Sequence, residues 1–358
     1  VELLEEIWIN VTTSHNYFMT SINFPAEWYP PSAIQITWPH ESTDWADMLD
    51  EVTEFYIHLS KEILKHSRLL IVCNDSVKIE KYFTSTELTN MSLVEAKSND
   101  TWARDHGAIS VFIDDKPVIY DFGFNAWGLK FAANYDNQIT STLFEKETFS
   151  KEVIYNNYLN FILEGGAIET DGEGTLLTTS KCLLAPNRNQ PLTKADIEEF
   201  LKKTLGLKQI LWLHHGYLSG DDTDNHIDTL ARFCDKTTIA YVQCNDDTDE
   251  HYHELKKMEE ELLSFRTTDG EPYNLIALPM ATPVFEDDYR LPATYANFLI
   301  MNTVVLIPTY NSERDILAKQ QLQKAFPNKE IIGIDCRTLI KQHGSLHCIT
   351  MQYPEGFL

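Results

Sequence analysis

Hydrophobic residues along this chain switch repeatedly between a period of two and a period near 3.6, and each switch marks a predicted strand or helix. Ser32 to Trp38 alternates like a strand after a Pro-Pro turn. Asp44 to Lys65 carries Met48, Leu49, Val52, Phe55, Tyr56, Leu59 and Ile63 at steps of three and four, which predicts an amphipathic helix. A strand over Arg68 to Cys73 follows, then a polar stretch holding Ser98-Asn-Asp-Thr-Trp-Ala-Arg-Asp-His-Gly107. Next comes a hairpin from Ala108–Ile113 to Pro117–Phe122 around Asp-Asp-Lys.

The same order returns downstream. Phe161-Ile-Leu leads to Glu164-Gly-Gly and a hairpin over Ala167 to Thr179, whose turn Asp171-Gly-Glu-Gly174 supplies glycines for positive φ. Thr193 is the expected N-cap of a helix to Thr204, followed by a strand over Lys208 to Leu213, a polar loop, and strands Ala231–Cys234 and Thr238–Gln243. A charged helix over Asp249 to Phe265 leads to a strand from Asn274 to Met280 and a hairpin over Asn297 to Ile307. Ser312 to Phe326 is the last predicted helix, before Glu330 to Asp335 and the alternating Leu346-His-Cys-Ile-Thr-Met351. Helix, strand, polar loop and hairpin thus recur about five times, without visible identity between units. Asp105, Glu164, His226 with Asp228, Asn297 and Cys348 all fall in or just after the polar loop of a unit. Units closed around an axis would gather these loops at one end, whereas an ordinary mixed α/β sheet would leave them merely polar.

Composition narrows the partners. With 54 acidic residues against 29 basic ones the formal charge is -25, which argues against nucleic acid or an anionic membrane and favours a small cationic ligand. The six cysteines, at 73, 182, 234, 244, 336 and 348, show no CxxC spacing, so reduced thiols and a cytoplasmic setting are expected. Residues 1–24 read as an extension ahead of a single domain over 25–358, with no secretory n-region and no apolar run of membrane-spanning length. Assembly into a homo-oligomer is compatible with such a chain.

Gly216-Tyr-Leu-Ser-Gly-Asp-Asp-Thr-Asp-Asn-His-Ile-Asp228 concentrates carboxylates around His226. In an extended segment His226 and Asp228, two apart, would face one side; a solvated acidic loop is the bland alternative. The loop lacks the glycine and glutamate positions of an EF-hand. Cys348 by position reads as a small buried hydrophobe, but a histidine to move protons and a carboxylate to orient it would make it a nucleophile, and His226 with Glu164 fit those parts. Asp105 and Asp228 offer acceptors where an acyl-transfer site would want donors. A pair of carboxylates suits the planar guanidinium, which carries five N–H groups in a fixed fork.

Pro25-Ala-Glu-Trp, Asn99-Asp-Thr-Trp-Ala-Arg-Asp-His-Gly107, Asp121-Phe-Gly-Phe-Asn-Ala-Trp-Gly128, Glu164-Gly-Gly, Asp171-Gly-Glu-Gly174, Pro186-Asn-Arg-Asn189, Asp222-Thr-Asp-Asn-His-Ile-Asp228, Leu291-Pro-Ala-Thr-Tyr-Ala-Asn297 and Gly344-Ser-Leu-His-Cys-Ile-Thr350 together resemble the agmatine deiminases, a family grouped with the bacterial-type peptidylarginine deiminases. The resemblance runs from about Pro25 to Gln352. It implies a five-module α/β propeller of the pentein type, without cofactor or metal, hydrolysing agmatine to N-carbamoylputrescine and ammonia. It makes Cys348 the nucleophile, His226 the acid and base, Glu164 its orienting partner, and Asp105 and Asp228 the guanidinium grips. Trp102, Trp127 and Asn297 are the further expected substrate contacts. The chain departs from the family in Gln342-His-Gly-Ser-Leu, where a glycine-rich run is usual before the cysteine, and in Asn225, where glycine often precedes the histidine. Three alternatives stay open on the sequence: a peptidylarginine or free-arginine deiminase using Arg104 or Arg188 for a carboxylate tail, a metal-dependent hydrolase built on Asp221, Asp222, Asp224 and His226, and a non-catalytic binder of cationic ligands.

Overall fold

The computed structural model describes residues 21–358. Most of the extension expected over residues 1–24 therefore lies outside the described residues; its last part, Ile22–Asn23, pairs antiparallel with Ile109–Ile113.

The fold is mixed α/β, with five sheets of three or four strands and one two-stranded ribbon, Phe285–Glu286 with Tyr289–Arg290, among the described residues. Each of the five sheets contains the same core. A first strand pairs antiparallel with a middle one, and the middle strand pairs parallel with a third reached through a helix. The units are Met351–Pro354, Pro31–Thr37 and Arg68–Cys73; Ile109–Ile113, Lys116–Gly123 and Ile154–Ile162; Ile168–Thr170, Thr175–Thr179 and Gln209–Leu213; Ala231–Asp235, Thr238–Gln243 and Asn274–Pro279; and Leu299–Ile300, Val304–Thr309 and Glu330–Asp335. The crossover helices are Leu49–Leu64, Ile139–Glu145, Lys194–Leu205, Tyr252–Ser264 and Arg314–Ala325. A parallel pair cannot be joined by a tight turn, so each unit needs its helix, and the helix covers one sheet face. In Leu49–Leu64 the covering stripe is Val52, Phe55, Tyr56, Leu59 and Ile63, all buried.

Local chemistry sets the boundaries. Asp114 and Asp115 take φ of 48° and 62°, as a two-residue hairpin requires, and Gly172 and Gly174 do the same at 74° and 99°. Thr193 caps its helix by accepting from the Asp196 N–H, while the Asp196 carboxylate accepts from the Thr193 N–H. Three expectations are corrected. The Asp44 to Lys65 helix begins as a 3-10 turn at Ala46–Met48. Met91–Glu95, unanticipated, adds a half-buried parallel strand to the first sheet. Cys348 does not lie in a strand: the strand begins at Met351 and the cysteine sits in the turn before it. No helix among the described residues is long and apolar enough to cross a membrane.

Candidate active site

The first strand of every unit is preceded by a short loop, and those five loops carry the residues singled out in the sequence. Asp105 lies in the turn Ala103–His106 ahead of Ile109, and Glu164 precedes the turn Gly165–Ala167 ahead of Ile168. His226 caps the 3-10 turn Ile227–Thr229 that contains Asp228, ahead of Ala231. Asn297 stands before Leu299, and Cys348 before Met351. All six are buried.

They converge. The Asp105 Oδ1 atom lies 3.5 Å from His226 Nδ1, and the Cys348 sulfur lies 4.0 Å from Asp228 Oδ2 and 3.4 Å from Asn297 Oδ1. Asp105 is fixed by the Gly166 N–H, which donates to Oδ1 at 3.1 Å, and by the Trp127 Nε1–H, which donates to Oδ2 at 3.1 Å. The Arg104 N–H donates to the Cys348 carbonyl at 3.0 Å, so the Asp105 turn and the cysteine turn are stitched together. Gly166 sits at the junction: a Cβ there would lie 2.5 Å from His226 Nδ1, 2.8 Å from Asp105 Oδ1 and 3.2 Å from Asp228 Oδ2.

Above this floor opens a cleft of about 150 Å³ lined by Trp102, Asp105, Trp127, Phe131, Asp222 and Cys348, with Asp44, Asp100, Thr223, Gln342, His343 and Gly344 completing its wall. Trp102 and Trp127 form two of its walls. The loop from Gln342, where the chain departs from the usual glycine-rich run, keeps one glycine where contact demands it: a Cβ on Gly344 would meet the Trp102 ring at 2.1 Å.

The electrostatics follow from burial. Burial, then Asp228 and Asp105, push the Cys348 thiol well above its ordinary value. Burial opposes a charge on His226, but the Asp105 carboxylate, Cys182 and Glu164 outweigh it and hold the imidazole well above its ordinary value. Burial pushes Asp105 up to about 7, helped by Asp228 and Glu164 and opposed by His226 and the Trp127 hydrogen bond. Burial works to raise Asp228 as well, yet His347 and His226 hold it below the usual carboxylate range. Asp228 Oδ1, Glu164 Oε2 and both His226 ring nitrogens are buried and make no hydrogen bond within the described protein.

Several expectations are corrected here. His226 and Asp228 are not extended; the 3-10 turn still brings both to Gly166. Glu164 makes no hydrogen bond to His226: one oxygen accepts from Arg188 Nε at 2.8 Å, leaving Asp105 as the carboxylate with an ion-pair contact to the imidazole. Asn297 is spent on the nucleophile loop rather than on the cleft. Its Oδ1 accepts from the His347 and Cys348 N–H groups at 2.8 and 3.3 Å, and its Nδ2 donates to the Asp228 carbonyl at 3.3 Å. The four metal-ligand candidates do not form a cage. Asp221 accepts from Thr223 Oγ1 and the Asn225 N–H, while Asp224 pairs with Arg188 and Lys130. The clusters of donor atoms found among the described residues are Glu164, Cys182, His226 and Glu27, Glu169, His347. Arg104 and Arg188, candidates for a carboxylate tail, are engaged with Glu27 and with Glu164 and Asp224.

Glu27, His347 and Gly166 went unassigned in the sequence, although each stands inside a quoted segment. A histidine next to the cysteine was the signal available for His347.

The chain matches the model of the Porphyromonas-type peptidyl-arginine deiminases over residues 23–354. Two relatives carry putative names. One is an arginine deiminase from Porphyromonas gingivalis, whose crystal structure is 53% identical with a TM-score of 0.91 and covers 94% of this chain and 100% of its own. The other is an agmatine deiminase from Marinomonas sp., 32% identical over 94% of this chain and 95% of its own length. A cysteine-to-serine variant of the C. jejuni agmatine deiminase, solved with substrate bound, is 39% identical with a TM-score of 0.88 and covers 96% of this chain and 100% of its own. Matched over nearly its whole described length, the chain belongs to the Porphyromonas-type peptidyl-arginine deiminase family.

Proposed function

We propose that the chain hydrolyses agmatine to N-carbamoylputrescine and ammonia through a thiouronium on Cys348. The observation that carries this reading is the buried Asp228 carboxylate beside the Cys348 sulfur, its Oδ1 left unpaired, with Asp105 lining the same cleft as the sulfur. A guanidinium brings N–H donors in a plane to such acceptors and presents its central carbon between them. The five like units, each lending its pre-strand loop, are read as arranged around one axis in a propeller, which accounts for the convergence.

With the cation bound, its charge offsets the carboxylates and Cys348 gives up its proton to solvent. The C–S bond forms, His226 passes its proton to the departing nitrogen, the C–N bond breaks and ammonia leaves a cationic thiouronium. His226, now neutral, takes a proton from water as the hydroxide adds to that carbon. The C–S bond then breaks, returning the thiolate and the ureido product, whose excess proton passes to solvent.

Because the empty site opposes thiolate formation, alkylation of Cys348 by iodoacetamide, followed by mass spectrometry of the labelled residue, is expected to be slow at neutral pH and to rise only above pH ~9. A midpoint below neutral would show that the free enzyme already holds a thiolate and would remove substrate-assisted deprotonation.

The tail is read as an amine, since no lysine or arginine lines the cleft and Asp44, Asp100 and Asp222 do. Ammonia release from agmatine, arginine and a peptidyl arginine, measured side by side, is expected to favour agmatine by roughly a hundredfold or more in kcat/KM, because an α-carboxylate would meet acids without a paired cation. Arginine as the best substrate would give the activity named for the Porphyromonas gingivalis relative instead.

A further inference from the structure

Beneath the reacting groups lies a buried charged cluster to which the proposed mechanism gives no task. His347 is held by both ring nitrogens: Nδ1 lies 2.7 Å from Asp228 Oδ2 and Nε2 lies 2.6 Å from Glu27 Oε2. The same Glu27 oxygen accepts from Arg232 Nη2 at 2.7 Å and stands 3.7 Å from Arg104 Nη2, while Glu27 Oε1 accepts from the Ile300 N–H at 2.7 Å. Arg232 Nε donates in turn to Glu169. Glu27, Arg104, Glu169, Asp228, Arg232 and His347 are all buried.

Two carboxylate oxygens at hydrogen-bond distance on opposite nitrogens of one imidazole are both satisfied by an imidazolium, whereas a neutral ring has one N–H and would need a protonated carboxyl on its other side. Burial, Arg104 and Arg232 work against the charge on His347, and Glu27 and Asp228 favour it, so the two short contacts carry the reading. Asp228 is therefore gripped by one oxygen only: Oδ2 is committed to His347, while buried Oδ1 makes no bond within the described protein. We infer that Glu27 and His347 are positioning residues, with an imidazolium at His347 that is locked by Glu27 and turns Asp228 so that Oδ1 is kept for the guanidinium. The inference deepens the proposed function and rests on it for the identity of the ligand. His347, with His226 and Arg232, is also what holds the Asp228 carboxyl low against burial.

His347→Gln keeps the bulk and one donor and removes the charge. The groups facing Asp228 would then be Cys348, His226, Asp105, Arg104, Arg232 and Glu169. With one cation fewer the Asp228 carboxyl rises, and its Oδ1 is no longer turned toward the guanidinium. For agmatine, kcat/KM is expected to fall about tenfold or more at neutral pH, with most of the change in KM. A loss confined to kcat with KM unmoved would mean a merely structural role and overturn the inference, as would kcat/KM within twofold of the parent.

A second measurement needs no turnover. Nitrogen-15 NMR of histidine-labelled protein at pH 7 is expected to show, besides the His226 signal that persists in both variants, a buried imidazole protonated on both nitrogens that is absent from His347→Gln and converted to the neutral form in Glu27→Gln. A neutral His347 in the parent would overturn the inference even if agmatine is turned over. A parent inactive on agmatine would defeat the function reading while leaving the spectrum to decide this one. Should His347→Gln fail to fold, the parent and Glu27→Gln spectra decide it alone.

Discussion

Replacing Cys348 with alanine is expected to lower ammonia release from agmatine by at least about 10⁴-fold, since no other group within reach can form the covalent intermediate. Among the described residues, Cys182 is the rival thiol near the imidazole. It is buried, its pKa is raised by burial, and Arg188 Nη2 stands 4.0 Å from it on the side of the Glu164 pair. Binding should survive the substitution, because the carboxylates that grip the cation are anchored elsewhere: Asp105 by Gly166 and Trp127, Asp228 by His347. Calorimetric titration of the variant with agmatine is therefore expected to give a Kd within about fivefold of the parent's KM, given that removing one apolar-sized atom group costs little binding. Turnover at the parent's rate would rule out the covalent scheme, and loss of both binding and turnover would mean that the sulfur also shapes the cation site.

How much of this was legible beforehand depended on what kind of signal each residue emits. His226, Asp105 and Asp228 announce themselves because a loop has no packing reason to hold them, Cys348 stood out only through a histidine and carboxylates that could serve it, and the recurrence of helix, strand, loop and hairpin said that such loops correspond from unit to unit. The structure bears out that recurrence, with each expected residue in the loop ahead of a first strand. Local conformation was less legible. The His226 segment read as a polar loop that would aim His226 and Asp228 to one side if extended, and it instead places Asp228 in a 3-10 turn capped by His226, a conformation that residue type alone does not specify. Met91–Glu95 was missed because a half-buried edge strand carries only a weak hydrophobic alternation. Partnership was least legible of all. Glu27 and His347 are separated by 320 positions, and nothing in a glutamate between Ala26 and Trp28 says that it will meet a histidine across the molecule. Asn297 was misread for the same reason, as an amide in a polar motif can serve the backbone of a neighbouring loop as readily as a ligand.

Gly166 offers the sharpest separation between shape and stability, because its neighbour supplies the control. Neither Gly165 nor Gly166 has a left-handed φ, so alanine brings no backbone penalty at either position and only contacts matter. At Gly165 a Cβ would stand 2.2 Å from the Arg104 backbone carbonyl, which cannot move without dragging the turn that is hydrogen-bonded to the Cys348 loop. Gly165→Ala is therefore expected to appear mainly as lost stability, by roughly 1–3 kcal/mol as overpacking usually costs. At Gly166 the close atoms are side-chain groups of the site itself, His226 Nδ1 at 2.5 Å and Asp105 Oδ1 at 2.8 Å, with Asp228 Oδ2 at 3.2 Å. Those side chains can tilt aside and the fold can persist, but the imidazole and the two carboxylates then leave their common focus. An error near 1 Å in such an array costs about a hundredfold, and three displaced groups should cost more, so Gly166→Ala is expected to lose on the order of 10³-fold in kcat/KM. Thermal melts and steady-state kinetics of the two variants, run together, check the contrast. If Gly166→Ala melts far below the parent while the surviving folded protein keeps its rate, the convergence of Asp105, His226 and Asp228 on that point is not what positions the substrate.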